Sequence, residues 1–576
     1  MNRAVFISDL FWFDGSVGGA ELCDGAIIEE LLYKKYSNFR DWMVCCAPSH
    51  LITVDFLDKN KDSVFFVSNF MRLSEECKKY FYENQLYYVI IEHDHKYTIT
   101  NNPASYANNL CREDHLQNES FYKKAAFVMC QSTLHTEILY KNLLLDNLVN
   151  LKGNLWLDLH LEQARMVYNE TLEMRREKNP QYWGVLMSDN PNKGTPQAIK
   201  YCQENNLDFD AIRPATWKAF FTSLTAFGGL VFLPTWVESF NRVLVEARLI
   251  GLKIRTNKNI GCASDGWLKY KQEELFEKLV NVKKEILSIY DKVVHRDTET
   301  IQTYKPQDKL PRVSIMTTFA EAEDYVEGFM EHVCNQTIFD EVDVYIYDAG
   351  SSGNEQKIIE KYCQRHDNIH YIRDEERIGS SEAFNRMMER SPNDFIGMIS
   401  IDDRPVRNYA EVLRKHLFFS KTDLVYGDCL VSKEKNGSFL EVSTKSKNLP
   451  YTIYKHSQAD FTPENMIKSL PGPMPMFRKS MIDRHGGFDL SLKHANDWEL
   501  WLRCVKGGSI FQKVHAPIGL YYYNPDGVTT STETFESKLT EEKKIFNDYR
   551  EVVGELNYKK YYPYFYQLSN KEEASV

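Results

Sequence analysis

A chain of 576 residues exceeds what one hydrophobic core serves, so it divides into two large domains or three smaller ones. Its 43% hydrophobic and 26% charged residues are those of ordinary globular material, and a formal net charge of -11 excludes nucleic-acid binding through the overall field, leaving room only for a local basic groove. The 12 cysteines form no C-x-x-C pair, which reads as reduced thiols and a cytoplasmic location, and no run approaches the roughly 18 apolar residues of a membrane span, so membrane contact is at most peripheral.

From Ala4 onward, apolar runs alternate with helix-period segments, the pattern of an α/β fold with a parallel sheet covered by helices. Val5-Phe6-Ile7-Ser8 is too short for a signal peptide and reads as a first strand. It leads into a loop with Gly15, Gly18 and Gly19, after which Ala20-Glu21-Leu22 opens a helix through Ile28, Leu31 and Leu32. Bare amides at such a helix start hold anions, and a plain tight turn is the other reading. Further strands are expected at 42–46, 64–67, 87–91 and 126–130. The strand at 87–91 ends in Glu92-His93-Asp94-His95-Lys96. These histidines could ligate a metal, though no third ligand at suitable spacing follows; His93 could be a catalytic or substrate-orienting imidazole, or the segment could simply close a strand.

A second α/β segment starts at Tyr182 and passes through Asn192-Lys193-Gly194-Thr195 into a helix from about Pro196 to Asn205. The strand Gly229 to Leu233 ends at Pro234, and Glu238 and Glu246 follow eight positions apart. A helix beginning after Glu238 puts that residue at its N-terminal mouth and Glu246 on its body.

On Gly18-Gly19, Lys193-Gly194 and the Glu238-x7-Glu246 motif after a strand and proline, residues Ala4 to Val294 resemble a family 4 glycosyltransferase of the GT-B fold, two Rossmann-like lobes facing across a cleft. The module is bounded at 1–294, with lobes of about 1–175 and 176–294. The resemblance implies that Glu246 holds the donor ribose, Glu238 lies near the donor sugar, and Lys193 neutralises the leaving diphosphate without a metal. Gly19 then belongs to the donor loop and His93 to the catalytic set. Val185 stands where the family carries arginine, with Arg242 and Arg213 as candidate substitutes. A first half that only binds nucleotide sugar or glycan is therefore the alternative to a working transferase.

Residues 295–310 are polar and read as a linker. A sheet restarts at Pro311 to Phe319, and a helix runs through Tyr325, Phe329 and Val333. Val342 to Ala349 leads into the turn Gly350-Ser351-Ser352-Gly353; Ile369 to Ile372 is followed by a helix over 381–388 that contains Asn385. The strand 395–401 then ends in Asp402 and Asp403, with Pro405 as its stop. Two carboxylates at the C-terminal edge of a buried strand are hard ligands suited to Mg²⁺ or Mn²⁺ carrying a substrate diphosphate. A turn with two solvated acids is the other reading.

Val313 to Phe319, Asn335-Gln336-Thr337, Asp348 with its Gly-Ser turn, Asn385, Asp402-Asp403-Arg404, Gly486-Gly487-Phe488-Asp489 and Asn496-Asp497-Trp498-Glu499 together resemble family 2 inverting glycosyltransferases of the GT-A fold. The expected module spans 311–555, with a tail at 556–576. The resemblance implies that Asp403 ligates the metal, with Asp402 on the ribose or a metal-bound water. Thr317, Phe319, Asp348 and Asn385 would hold the nucleoside, and Asp497 would take the proton of the acceptor hydroxyl. An N-cap role for Asp497 is compatible with that. The family's second acid is absent at Ala349, and Asn496 replaces a frequent glutamate. Pro471 to Phe477 reads as a rigid loop facing the acceptor or a structural loop, Tyr521 to Thr529 as a lid, a third metal contact or a core or interface cluster, and Lys559, Lys560 and Tyr561 to Tyr566 as a basic-aromatic patch or docking helix.

The implied activity is transfer of sugars from a UDP-linked nucleotide-sugar donor to a glycan or other hydroxyl acceptor. Two fused modules imply consecutive additions, as in polysaccharide synthesis. Glycosylation of a DNA base is a third reading, which the acidic charge disfavours; the oligomeric state is open.

Overall fold

The computed structural model describes residues 2–14, 18–37, 42–171, 182–213, 217–446, 449, 453–524 and 535–561. The chain forms two compact units, Met1–Cys111 with His115–Gln307, and Arg112–Asp114 with Asp308–Val576.

The first unit holds two parallel sheets. Six strands, β1 (Asn2–Ser8), β2 (Trp42–Pro48), β3 (Val64–Val67), β4 (Tyr88–Ile91), β5 (Phe127–Cys130) and β6 (Leu148–Asn150), lie in the order β2-β1-β3-β4-β5-β6. Four more, β7 (Tyr182–Leu186), β8 (Asp208–Ile212), β9 (Gly229–Val231) and β10 (Lys253–Arg255), lie in the order β10-β9-β7-β8. Every residue of β3, β4 and β5 is buried, as expected of strands covered on both faces. Strand order reverses beside β1 and beside β7, and ligands of open α/β sheets bind outside the carboxyl ends at such points. The loop after β7 reaches this edge through Gly194, whose φ is +68° and whose Cβ position would lie 1.8 Å from the Leu233 carbonyl oxygen, so only glycine fits.

Helix Gly19–Ile27 runs on as the π-helical segment Ile28–Ser37. Helix Gln272–Val294 repeats apolar residues at Leu275, Phe276, Leu279, Val282, Ile286, Tyr290 and Val293, a helical period that buries one face. It returns to the first sheet, where Tyr290 meets Phe66 with ring centroids 6.1 Å apart. The stretch 295–310 is not slack over its whole length: the Tyr304 N–H donates to the Leu148 carbonyl of β6.

The second unit is built on a nine-stranded mixed sheet. Its strands are β11 (Val313–Phe319), β12 (Val342–Ala349), β13 (Ile369–Asp374), β14 (Phe395–Met398), β15 (Arg404–Pro405), β16 (Leu424–Ser432), β17 (Ile453–His456), β18 (Met476–Arg478) and β19 (Phe511–Tyr522). They run β13-β12-β11-β14-β18-β16-β19-β15, with β17 on β16. β11 pairs in parallel with both β12 and β14, so the switch point lies between β11 and β14.

Three sequence expectations change here. The strand expected over 395–401 ends at Met398, and the acids ride a turn closed by the Asp403 N–H on the Ser400 carbonyl. Pro405 does not stop a strand; it sits in β15 at the end of the sheet, opposite Gly519, where a missing N–H is tolerated. The apolar segment 471–477 is core rather than an acceptor loop, since Met474, Met476 and Phe477 are fully buried and β18 pairs with β14 and β16. Pro525 to Thr529 and Tyr562 to Tyr566 lie outside the described residues. No described helix is long and apolar enough to cross a membrane, and the cysteines are free thiols.

Candidate active site

The turn after β14 brings Asp402 and Asp403 to the carboxyl edge of the second unit's sheet. Arg404 lies beneath it, donating from Nη1 to the carbonyls of Ile401 (3.0 Å) and Asp403 (2.8 Å), and from Nη2 to Tyr325 O and Asn436 Oδ1 (both 3.3 Å). This clamp fixes the turn from below. Asp403 is 1% exposed; its Oδ1 accepts the Tyr522 N–H at 2.9 Å, while its Oδ2 meets no donor among the described residues. Burial, then the neighbouring Asp402 charge, push the Asp403 carboxyl well above the usual range against the opposing pull of Tyr522 and Arg404. Burial raises half-buried Asp402 as well.

A buried carboxylate oxygen with no donor, beside a second carboxylate, fits a divalent cation. The described residues hold no set of three His, Cys, Asp or Glu groups able to enclose an ion. Asp403 and Asp402 would supply the protein's ligands to such an ion, and water and substrate phosphates would supply the rest, as is common for Mg²⁺ and Mn²⁺.

Along the same edge stand Thr317, Phe319 and Asp348. Phe319 and Asp348 are register partners, and Thr317 Oγ1 is buried without a hydrogen bond. Asp348 is fully buried and already engaged: Ser351 N–H reaches Oδ1 at 2.8 Å, and Tyr371 OH and Arg373 Nη1 reach Oδ2 at 2.7 and 3.0 Å. The amide of Asn385, expected at the nucleoside, brackets the Phe488 backbone, accepting from N–H at 2.9 Å and donating to C=O at 3.0 Å. It is a clamp on the Gly486-Gly487-Phe488 turn.

Asp497 belongs to the helix Asn496–Lys506, where Ala495 holds the cap position, so Asp497 lies in the first turn and is not the N-cap. Its Oδ2 accepts from Ser469 Oγ at 2.7 Å. Burial raises its carboxyl, opposed by that hydroxyl and by local backbone amides. Asn496 Nδ2 donates to Ser381 Oγ.

In the first unit, Lys193 follows β7 and Glu238 follows β9, and they pair at 2.8 Å beside the switch point of the smaller sheet. Burial lowers and the Glu238 charge raises the Lys193 ammonium, with a net rise. Asn241 Nδ2 adds a contact to Glu238 at 3.2 Å, and Asn241 Oδ1 caps the helix Arg242–Leu249. Glu246 is 2% exposed, and its Oε1 accepts from the indoles of Trp156 at 2.9 Å and Trp217 at 3.1 Å. It also faces Arg242 Nε at 3.7 Å, so the carboxylate expected at a ribose is held within the protein. Arg242 stacks over Trp156 at 4.6 Å, donates to the Leu155 carbonyl, and passes beneath Gly19, whose Cβ position would lie 3.5 Å from Arg242 Cδ. Arg213 is exposed.

His93 is 3% exposed between Asp24, at 3.0 Å from Nε2, and Gln131, which contacts Nδ1. Burial disfavours its charge, but Asp24 lifts its pKa above the ordinary value. Asp24 is in turn held by Ser68 Oγ at 2.6 Å. Sequence reasoning missed Trp156, Trp217, Tyr371, Arg373 and Ser469. Of these only the Arg373 region carried a local signal, a strand neighbouring the one that bears Asp348.

Residues 314–486 match the family model described as glycosyl transferase family 2. The match identifies a glycosyltransferase domain within the second unit that contains Thr317, Phe319, Asp348, Asn385, Asp402 and Asp403. A stretch of 197 residues is 24% identical to an uncharacterized glycosyltransferase of Methanocaldococcus jannaschii, covering 34% of this chain and 65% of that protein. The chain thus spans slightly less than two thirds of this relative. Among solved structures, S. aureus TarS is 14% identical with a TM-score of 0.31 over 41% of this chain and 42% of that one. TarS residues 1–349 in complex with UDP-GlcNAc are 13% identical with a TM-score of 0.35, over 43% and 72% of the two chains. The mannosyltransferase PcManGT of Pyrobaculum calidifontis, in complex with GDP-Man and Mn²⁺, is 14% identical with a TM-score of 0.31, over 46% and 70%.

Proposed function

We propose that the second unit transfers a sugar from a UDP-linked nucleotide-sugar donor to a hydroxyl of a glycan or other acceptor, with inversion at the anomeric carbon. The observation that carries this reading is the adjacent pair Asp402 and Asp403, with Asp403 Oδ2 buried and unpartnered among the described residues. A protein keeps such a pair where function needs it. Asp403 would hold Mn²⁺ or Mg²⁺, with Asp402 beside it, and the ion would neutralise charge on the departing diphosphate. Thr317, Phe319 and Asp348 line the nucleoside side of the same edge.

Asp497 accepts the proton of the attacking hydroxyl. Its burial raises its basicity, and Ser469 restricts its orientation. One carboxylate base is enough because the leaving diphosphate needs no proton. Attack opposite the leaving group inverts the centre.

We read the first unit as a GT-B-type pair of lobes that binds nucleotide sugar or glycan rather than a second transferase. The engagement of Glu246 by two indoles favours this reading. The test is turnover of a panel of nucleotide sugars, with and without Mn²⁺, by wild type, Asp403→Asn and Glu246→Gln. Metal-dependent transfer lost in the first variant and kept in the second supports both statements. A metal-independent transfer that survives Asp403→Asn and vanishes in Glu246→Gln makes the protein bifunctional. Metal-independent turnover unchanged in Asp403→Asn and Glu246→Gln overturns the site.

A further inference from the structure

The helix that carries Asp497 begins without a side-chain cap from Ala495 at its cap position. The main chain leading into it is held from far along the sequence. Glu541, in the helix Phe535–Asp548, takes the N–H of Lys493 at 2.9 Å, of His494 at 2.8 Å and of Ala495 at 3.2 Å, the three residues that lead directly into Asn496 and Asp497. Burial opposes its charge, yet these amides hold the Glu541 carboxyl below its ordinary pKa.

Lys538, Glu541, Glu542 and Ile545 stand at i, i+3, i+4 and i+7, so they share one face of their helix. That face is seated on the base-bearing helix. Ile545 and Phe546 are buried in one core with Ala495 and Trp498, and the Trp498 and Phe546 rings lie 6.4 Å apart. Ser537 Oγ meets His494 Nε2 at 2.8 Å, and Tyr549 OH donates to Glu499 Oε1 at 2.6 Å. Lys538 and Glu542 are near enough to act on Asp497 electrostatically, one lowering its pKa and the other having its own raised by it. Asn496 supplies no acid and is tied to Ser381, so beside Asp497 and Glu499 of the helix's own first turn, Glu541 adds a carboxylate from outside it.

We propose that the helix Phe535–Asp548 is a working part of the acceptor side of the site, with Glu541 the positioning residue that fixes the main chain from which Asp497 projects. The proposal rests on Asp497 being the base of the transfer. Glu541 touches neither donor nor acceptor; it acts by holding three consecutive amides, a contact that apolar packing cannot replace. A small displacement of a positioned catalytic group lowers rate far more than it lowers binding.

The test uses the full chain and compares wild type with Glu541→Gln, Glu541→Asp and, as a control, Glu551→Ala. Glu551 pairs with Lys506 at 2.5 Å and ties a later turn to the other end of the same helix. Glu541→Gln is expected to lower kcat by about tenfold or more with donor KM within about twofold. It should also speed hydrogen exchange at the amides of 493–497, with part of both effects restored in Glu541→Asp and neither present in Glu551→Ala. A wild-type kcat in Glu541→Gln, or an equal loss in Glu551→Ala, overturns the positioning role while leaving the transferase reading intact. A wild type silent on every nucleotide sugar overturns both.

Discussion

Both units place carboxylates just beyond the carboxyl ends of parallel strands, yet the carboxylates meet opposite surroundings. Glu238 is paired with Lys193, Glu246 receives two indole N–H groups, and Glu92 is ringed by Lys96 and Tyr122. In the second unit Asp403 keeps one buried oxygen without a donor among the described residues, and Asp402, Asp403 and Asp497 are all pushed up by burial. Satisfied buried charges hold a fold together, whereas unsatisfied ones reduce stability and persist where a ligand completes them. On the proposed function, the same edge geometry serves architecture in one unit and chemistry in the other.

Neutralising one acid in each unit should separate these roles. Asp403→Asn is expected to lower metal-dependent transfer by about 10³-fold, the loss of several kcal/mol of charge stabilisation, while raising the metal-free melting temperature because an uncompensated charge leaves the interior. Kinetics on a nucleotide-sugar panel and calorimetry without metal check the two halves; a destabilised Asp403→Asn breaks the contrast.

The pH dependence contributed by Glu92 in the first unit and by Asp402 and Asp403 in the second should carry opposite signs. Burial opposes the Glu92 charge, but Lys96 and neighbouring donors bring its carboxyl down to about 2. A carboxyl lowered on folding contributes stability above its unfolded pKa, near 4.3, and loses that contribution as pH falls toward about 2, here about 3 kcal/mol in all. For Asp402 and Asp403, raised on folding, the sign reverses, and without metal their contribution to the stability of the second unit falls as pH climbs from about 4. Hydrogen exchange followed between pH 2 and 8 in Glu92→Gln and Asp403→Asn should flatten one slope in each unit.

What the sequence made legible was whatever lies close along the chain. An apolar run ending in two acids is visible as letters, and so is the 3.6-residue rhythm of Gln272–Val294. β16, buried on all nine of its residues, shows no alternation and escapes a period-based reading. Arg404 is adjacent to the acids, but nothing in a sequence says that its guanidinium folds under the turn to grip Ile401 and Asp403. Trp156 and Trp217 reach Glu246 from distant segments, as Glu541 reaches Ala495. These contacts decide whether a motif acid is free to act, and they are long-range by nature. Asn385 is a further case: nothing near it in the sequence announces that its amide brackets the Phe488 backbone.

Asp497→Asn tests the proton-transfer half of the second site. Removing a positioned general base costs about 10²-fold or more in kcat, while Mn²⁺ and donor binding should stay unchanged because Asp497 contacts neither acid of the turn. Equal losses in kcat and donor affinity would place Asp497 in the donor pocket and shift the base elsewhere.

The smallest expected effect is the sharpest probe of the first unit. Glu246→Gln keeps a carbonyl oxygen for the Trp156 and Trp217 indoles but removes the charge facing buried Arg242, whose Nε and Nη2 already lack hydrogen-bond partners among the described residues. Leaving that guanidinium uncompensated should cost about 2 kcal/mol, less than a broken close buried pair because the 3.7 Å separation is long. Metal-dependent transfer by the second unit should be unaltered. If Glu246 instead served a donor ribose, the same substitution would leave stability nearly unchanged and weaken nucleotide-sugar binding at the first unit by tenfold or more, about 1.4 kcal/mol. Calorimetric stability and nucleotide-sugar titration on this one variant therefore distinguish an acid that holds two lobes' aromatic side chains in place from one that waits for a substrate.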